Sequence, residues 1–138
     1  MPGRTNDEAL RDALSATGRV TQQRLSCLRA LEDADRHLTG NELVDAVRAE
    51  LPHIRPSTVY RTMARFVETG LAHRVDGFRG SRYGVGHGHG HAVCPRCDRI
   101  DDLDIREVMP LLERASGPVL GVTVVALCGD CRRPTDPR

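Results

Sequence analysis

The stretch His87–Cys97, HGHGHAVCPRC, decides how the rest of this chain is read. Three histidines alternate with glycine, and a Cys-x-x-Cys pair, Cys94 and Cys97, follows at once. A second pair, Cys128 and Cys131 in CGDC, lies further along the chain. A two-residue spacer lets both sulfurs of a pair reach one ion, so four thiolates in two such pairs can close a tetrahedral Zn²⁺ shell. The histidines cannot join a shell that is already full. They read as a separate nitrogen-ligand site next door, which implies a structural metal beside a sensing or catalytic one.

The bulk composition bounds what surrounds that stretch. A chain of 138 residues makes one ordinary domain or two small ones. The aromatic residues are Tyr60, Phe66, Phe78 and Tyr83, with no Trp, so the core must be built from Leu, Val and Ala. Two half-size domains with so little aromatic area call for a metal staple or a dimer. Net charge is +1 and implies no partner by itself. All 20 cations are Arg, planar forks suited to phosphates, carboxylates and base edges. No apolar run approaches the ~18 residues of a membrane span, and MPGRTNDEALRDAL is too polar for a signal peptide. The expected compartment is the cytoplasm, where thiols stay reduced and paired cysteines bind metal rather than form disulfides. Cys27, among Leu25, Leu28 and Leu31, reads as a buried structural thiol.

In chain order, Thr5 and Glu8 make a capping-box pattern ahead of a short helix carrying Leu10, Ala13 and Leu14. Thr21 caps a second helix with Leu25, Leu28 and Leu31 on one face, broken at Asp33–His37. Thr39 and Glu42 form another capping box, and Leu43, Val44, Val47 and Leu51 follow at helical spacing until Pro52. Pro56 suits the first turn of a fourth helix with an apolar stripe of Val59, Met63, Phe66 and Val67, closed by Gly70. Ser57, Thr58, Tyr60, Arg61 and Arg65 lie off that stripe. Two β-like runs, Leu71–Val75 and Arg82–Val85, joined by DGFRGS, predict a hairpin.

Helices followed by a hairpin is the order of a winged helix-turn-helix, in which the helix before the hairpin enters the major groove. Beyond the glycines of GVGHGHGH, Arg99–Leu103 predicts a strand. Asp104 and Glu107 suggest a capping box before a helix through Leu111 and Leu112, which Pro110 either kinks or starts. Val119–Leu127 reads as a strand delivering Cys128, and RRPTDPR as a disordered tail.

These motifs, in this order, resemble the ferric uptake regulator family of metal-responsive repressors over roughly residues 16–131. GRVTQQR resembles the family's entry to the second helix, with Gln22 in place of a proline. HLTGNELVDAV resembles the next helix, and STVYRTM the recognition-helix core. HGHGHAVCPRC and CGDC match the His-x-His run and the two cysteine pairs. The zinc uptake regulator branch is the most similar.

The resemblance implies an α+β chain. An N-terminal winged-helix DNA-binding domain spans 1–84 and a glycine/histidine hinge 85–91. A small C-terminal α/β dimerisation domain with a four-cysteine zinc site spans 92–131, and a tail 132–138. The resemblance also implies a homodimer on a palindromic double-stranded operator, bound when metal-loaded. Tyr60 and Arg61 match the DNA-contacting pair, with Ser57, Thr58 and Arg65 beside them. Cys94, Cys97, Cys128 and Cys131 match the structural zinc ligands.

For the regulatory metal, His37, His89 and His91 stand at the iron-type ligand positions, and Asp102 at an acidic one. Iron-type members place a carboxylate just after the aromatic that ends the hairpin; here that residue is Gly84. His73 fits a zinc-type slot, and His87 could substitute from the glycine run. Several imidazoles with one carboxylate suit Zn²⁺ but also Fe²⁺, Ni²⁺ or Co²⁺. His73 points to zinc, with iron, nickel, manganese and peroxide sensing as alternatives.

Blander readings stand beside these. The cysteines could be a plain staple, the HGHGH run a solvated linker, and His37 a helix-terminus histidine; His53 reads as a surface residue. The rival from another class is a zinc deaminase, which needs a His-x-Glu proton shuttle ahead of its cysteines. No glutamate lies between Gly70 and Glu107, so an enzyme is not expected.

Overall fold

In the computed structural model, which describes residues 6–86 and 90–133, the chain divides into two units. One comprises Met1–Arg74 with Ser81–His87, the other Val75–Gly80 with Gly88–Arg138.

Helix α1, Asp7–Ser15, is capped by Asn6, whose side chain accepts the Glu8 N–H. The sequence pointed to Thr5, which lies outside the described residues. Helix α2, Gln22–Asp33, starts at Thr21, whose hydroxyl accepts the Arg24 N–H. A two-residue strand β1, Leu38–Thr39, leads into α3, Gly40–Arg48. The predicted capping box is present in full: Thr39 Oγ1 accepts the Glu42 N–H, and the Glu42 carboxylate accepts the Thr39 N–H. Such caps each contribute about 1 kcal/mol. Helix α3 ends before Leu51, about a turn earlier than its apolar spacing suggests.

Helix α4, Pro56–Thr69, has Pro56 in its first turn and ends at Gly70 in the left-handed region, φ 79°. Leu14, Leu25, Leu43, Val47, Val59, Met63 and Phe66 form a fully buried interior shared by the four helices. Val67 is exposed rather than part of the stripe, because Met63 and Phe66 already fill the inward face of α4.

Strands β2, Ala72–Gly77, and β3, Gly80–Val85, form the predicted hairpin. Its turn is only Phe78-Arg79, tighter than DGFRGS suggests, since both flanking glycines belong to strands. The sheet order is β1-β3-β2, with Leu38 paired to Tyr83 and Thr39 to Arg82.

The second unit is built on β4, Gly90–Val93, the centre of a sheet in the order β5-β4-β6. Strand β5, Ile100–Asp102, pairs antiparallel, and β6, Val122–Val125, parallel. Helix α5, Met109–Ser116, connects β5 to β6. Pro110 stands in its first turn and marks its start. The expected capping box is absent: Asp104 instead accepts the N–H of Arg106 and pairs with its guanidinium. Strand β6 is shorter than Val119–Leu127 because β4 offers only four partners. Helix α5 buries no residue, and Leu120 is 98% exposed. No helix among the described residues is long and apolar enough to cross a membrane.

Candidate functional site

The four cysteines come together in the second unit. Cys94 ends the β4 arm, and its N–H donates to Arg99 O while its carbonyl accepts the Asp98 N–H, closing one tight knuckle. Asp98 sits there at φ 64°. The Arg132 N–H donates to Cys128 O, closing the second knuckle, and Arg96 donates to Cys131 O between the two.

The four Sγ atoms lie within 4.8 Å of one another, and Cys97 Sγ is 3.7 Å from Cys128 Sγ. A disulfide requires about 2.05 Å. Two thiolates each ~2.3 Å from one Zn²⁺ at the tetrahedral angle stand ~3.8 Å apart. Backbone N–H groups of Cys128, Cys97 and Arg96 lower the Cys94 thiol to about 6, and that of Cys131 lowers Cys128. The crowded sulfurs of Cys128 and Cys94 push Cys131 up to about 12. Metal-free, the cluster therefore retains protons that a cation would displace.

Asp98 was not singled out from sequence. It is buried, and its carboxylate accepts the N–H groups of Phe78 at 2.7 Å and Arg79 at 3.0 Å. The hairpin turn is thereby fastened to the first cysteine knuckle, with Arg79 also donating to Arg96 O. A contact between residues so far apart in sequence leaves no periodic signal.

A second ligand group forms in the first unit. His37, just ahead of β1, and His73, on β2, point their Nε2 atoms at each other at 2.8 Å. Their rings meet edge to face at 71°. His73 Nδ1 lies 3.0 Å from Gly86 O, so the carbonyl takes its N–H and leaves Nε2 with a lone pair, the orientation that metal-ligating imidazoles use. Two nitrogens ~2.05 Å from one ion stand ~2.9 Å apart at a right angle and ~3.3 Å at the tetrahedral angle. The observed 2.8 Å is a hydrogen-bond distance, near the right-angle spacing and about 0.5 Å short of the tetrahedral one.

Gly84 explains the missing carboxylate. A Cβ there would lie 2.7 Å from His73 Cε1 and 2.8 Å from both His73 Nε2 and His37 Cδ2. Any side chain at this position collides with the imidazole pair. The two histidines that pointed to different branches from sequence thus occupy one place, and Gly84 makes room for both.

His91, on β4, is buried, and its Nε2 lies 3.5 Å from Asp102 Oδ1, its cross-strand partner. Asp102 itself is exposed. His87 and His89 lie outside the described residues. His53 is exposed, as the sequence suggests.

On α4, Ser57, Tyr60, Arg61 and Arg65 are exposed, and Thr58 is half-buried. Arg61 makes no bond of its own among the described residues, whereas Arg65 pairs with Glu68 at 3.3 Å. Tyr60 is positioned by residues that sequence reading missed: its hydroxyl donates to Asn41 Oδ1 at 3.0 Å. Its ring lies across Gly40, where a Cβ would come within 2.2 Å. The start of α3 thus holds Tyr60 in place on α4 while leaving it 42% exposed.

The model of the Ferric uptake regulator family matches residues 15–118. The chain is similar to the peroxide-responsive repressor PerR of Staphylococcus aureus (strain USA300), with 30% identity over 98 residues, 70% of this chain and 66% of that protein. It therefore spans just under two thirds of that relative's length. Among solved structures, the Helicobacter pylori ferric uptake regulator, described with three functional metal binding sites, superposes with a TM-score of 0.77. The match covers 99% of this chain and 100% of that one at 17% identity, and shows the fold alone. A zinc uptake regulator in complex with zinc and DNA superposes with a TM-score of 0.64 at 26% identity, over 92% of this chain and 95% of its own.

Proposed function

Because this chain belongs to the ferric uptake regulator family, we propose that it is a transcriptional repressor that binds a palindromic operator as a homodimer when loaded with zinc. The family is one of regulators, and the chain is not an enzyme. The observation that carries the zinc reading is the His37–His73 pair, with Nε2 atoms 2.8 Å apart and Gly84 excluding a carboxylate beside them. An imidazole pair with no carboxylate at position 84 suits Zn²⁺ better than harder ions.

His37 and His73 bind the regulatory ion, and the histidine run His87, His89 and His91 supplies further ligands. Asp102 orients His91 or joins it. Zinc at this site supplies a positive charge that fixes its ligands in place. Gly86 O holds the His73 tautomer, and Gly84 keeps the space. A metal that favours the operator-binding form by a few kcal/mol shifts the population toward it.

Structural Zn²⁺ at Cys94, Cys97, Cys128 and Cys131 is supported by the sulfur spacing. DNA contact through Tyr60 and Arg61, with Ser57, Thr58 and Arg65 flanking, is supported by their exposure on α4 and by the winged-helix order of elements. The homodimer is supported by the apolar surface that the second unit leaves open, with Leu111, Leu120 and Val125 each more than half exposed.

A second reading rests on His91 beside Asp102. A mixed imidazole–carboxylate set also suits Fe²⁺ or Mn²⁺, and the similar Staphylococcus aureus protein is a peroxide-responsive repressor. Metal-titrated operator binding with Zn²⁺, Fe²⁺, Mn²⁺ and Ni²⁺ in parallel separates the two. Addition of one oxygen atom to His37 or His91 after peroxide treatment of iron-loaded protein would favour the second.

A further inference from the structure

Tyr60 stands near the N-terminal end of α4, the part of a recognition helix that meets base edges. It is 42% exposed, yet the start of α3 holds it on two sides. Its hydroxyl donates to Asn41 Oδ1 at 3.0 Å. Its ring lies so close over Gly40 that a Cβ there would overlap Cε1 and stand 2.8 Å from the hydroxyl oxygen. Gly40 and Asn41 are themselves fixed, because the capping box joins Thr39 to Glu42 around them. Neither the Tyr60 nor the Asn41 side chain has another hydrogen-bond partner among the described residues.

A phenolic hydroxyl has one proton to donate and can also accept. Here the proton is committed to Asn41, so Tyr60 Oη meets any further partner as an acceptor. Phosphate oxygens, guanine O6 and N7 and thymine O4 only accept, and so offer it nothing. Adenine N6 and cytosine N4 donate in the major groove. A ring already held in place also loses less freedom on binding than a mobile one.

We propose that Gly40 and Asn41 are specificity-determining positioning residues: they hold Tyr60 so that its hydroxyl accepts from a base amino group, and the chain prefers adenine or cytosine over guanine or thymine at one position of each half-site. The inference rests on the proposed binding of DNA through α4. Asn41 sets the direction of the hydroxyl proton, Gly40 leaves room for the ring, and Tyr60 makes the contact.

The test is selection from a random double-stranded DNA pool by the full-length, zinc-loaded protein, then anisotropy titration of the selected duplex and its single-base variants. Wild type should prefer an amino base over a keto base about five-fold at one position, the worth of one hydrogen bond. Tyr60→Phe should erase that preference at that position alone. Asn41→Ala should erase it too, since the freed hydroxyl can donate or accept. Asn41→Asp supplies only an acceptor, so it should keep the preference while its charge weakens binding to every sequence. Gly40→Ala displaces the ring, and alanine is the stronger helix former; it should erase the preference without lowering the melting temperature. A merely structural role for Gly40 and Asn41 would weaken all sequences alike and leave the preference in place, and that result overturns the inference. Loss of the preference in Asn41→Asp overturns it as well. Failure of wild type to enrich any sequence would overturn the operator-binding reading itself, and this inference with it.

Discussion

Replacing Gly84 by alanine adds one carbon at the point where His37 and His73 meet. The backbone tolerates it, because Gly84 is not among the glycines with positive φ. The cost is entirely steric: the new Cβ would stand 2.7–2.8 Å from three imidazole atoms, against an ordinary carbon contact of ~3.5–4.0 Å. Relief therefore requires the rings to move by roughly 1 Å, whereas metal–ligand distances tolerate about 0.2 Å. Overpacking of this size costs about 1–3 kcal/mol, equivalent to a loss of roughly 5–150-fold in affinity for the regulatory ion. Competition against a chromophoric zinc chelator resolves the tight cysteine equivalent from the weaker histidine one. Gly84→Ala should weaken the second and leave the first unchanged. Unaltered affinity for the second equivalent would show that His37 and His73 are not its ligands.

Other outcomes follow from the same structure. Cys97→Ser should lower zinc content by one ion per chain and unfold the second unit, since binding free energy at such sites is folding free energy, of order 10 kcal/mol; metal analysis with circular dichroism checks it. Arg61→Ala should cost about 1–3 kcal/mol of operator affinity if it reads a base, seen by fluorescence anisotropy, with metal content unchanged. Glu42 is held down at about 2, chiefly by the Arg36 ion pair and also by the Thr39 N–H. A carboxylate with a depressed folded pKa stabilises above its unfolded value and loses that contribution as pH falls from about 4.5 to about 2. Urea midpoints of wild type should fall across that window more steeply than those of Glu42→Gln.

The parts of this molecule written in local signals were legible in its sequence. Thr39 and Glu42 announce α3 because both capping bonds join residues one helical turn apart. The cysteine pairs announce their site because each knuckle is closed within its own few residues. What escaped depends on contacts between distant residues. Strand β1 is too short for any periodicity and exists because β3 offers it partners. Gly84 reads as a lost ligand until the two imidazoles are seen to need its space. Asn41 positions Tyr60 from 19 residues away, and Asp98 fastens the hairpin turn from 20. Asn6 caps α1, and a one-residue choice of cap is decided by backbone path, not by composition.

In the proposed function, zinc bound by His37 and His73 licenses operator binding. Fluorescence anisotropy of a palindromic operator fragment, with protein already holding its cysteine-bound zinc, tests it as Zn²⁺ is titrated in, for wild type and His73→Ala side by side. Wild type should bind only once the second equivalent of zinc is present, and His73→Ala should stay unbound while remaining folded and dimeric. Zinc-dependent binding by His73→Ala equal to that of wild type would contradict it.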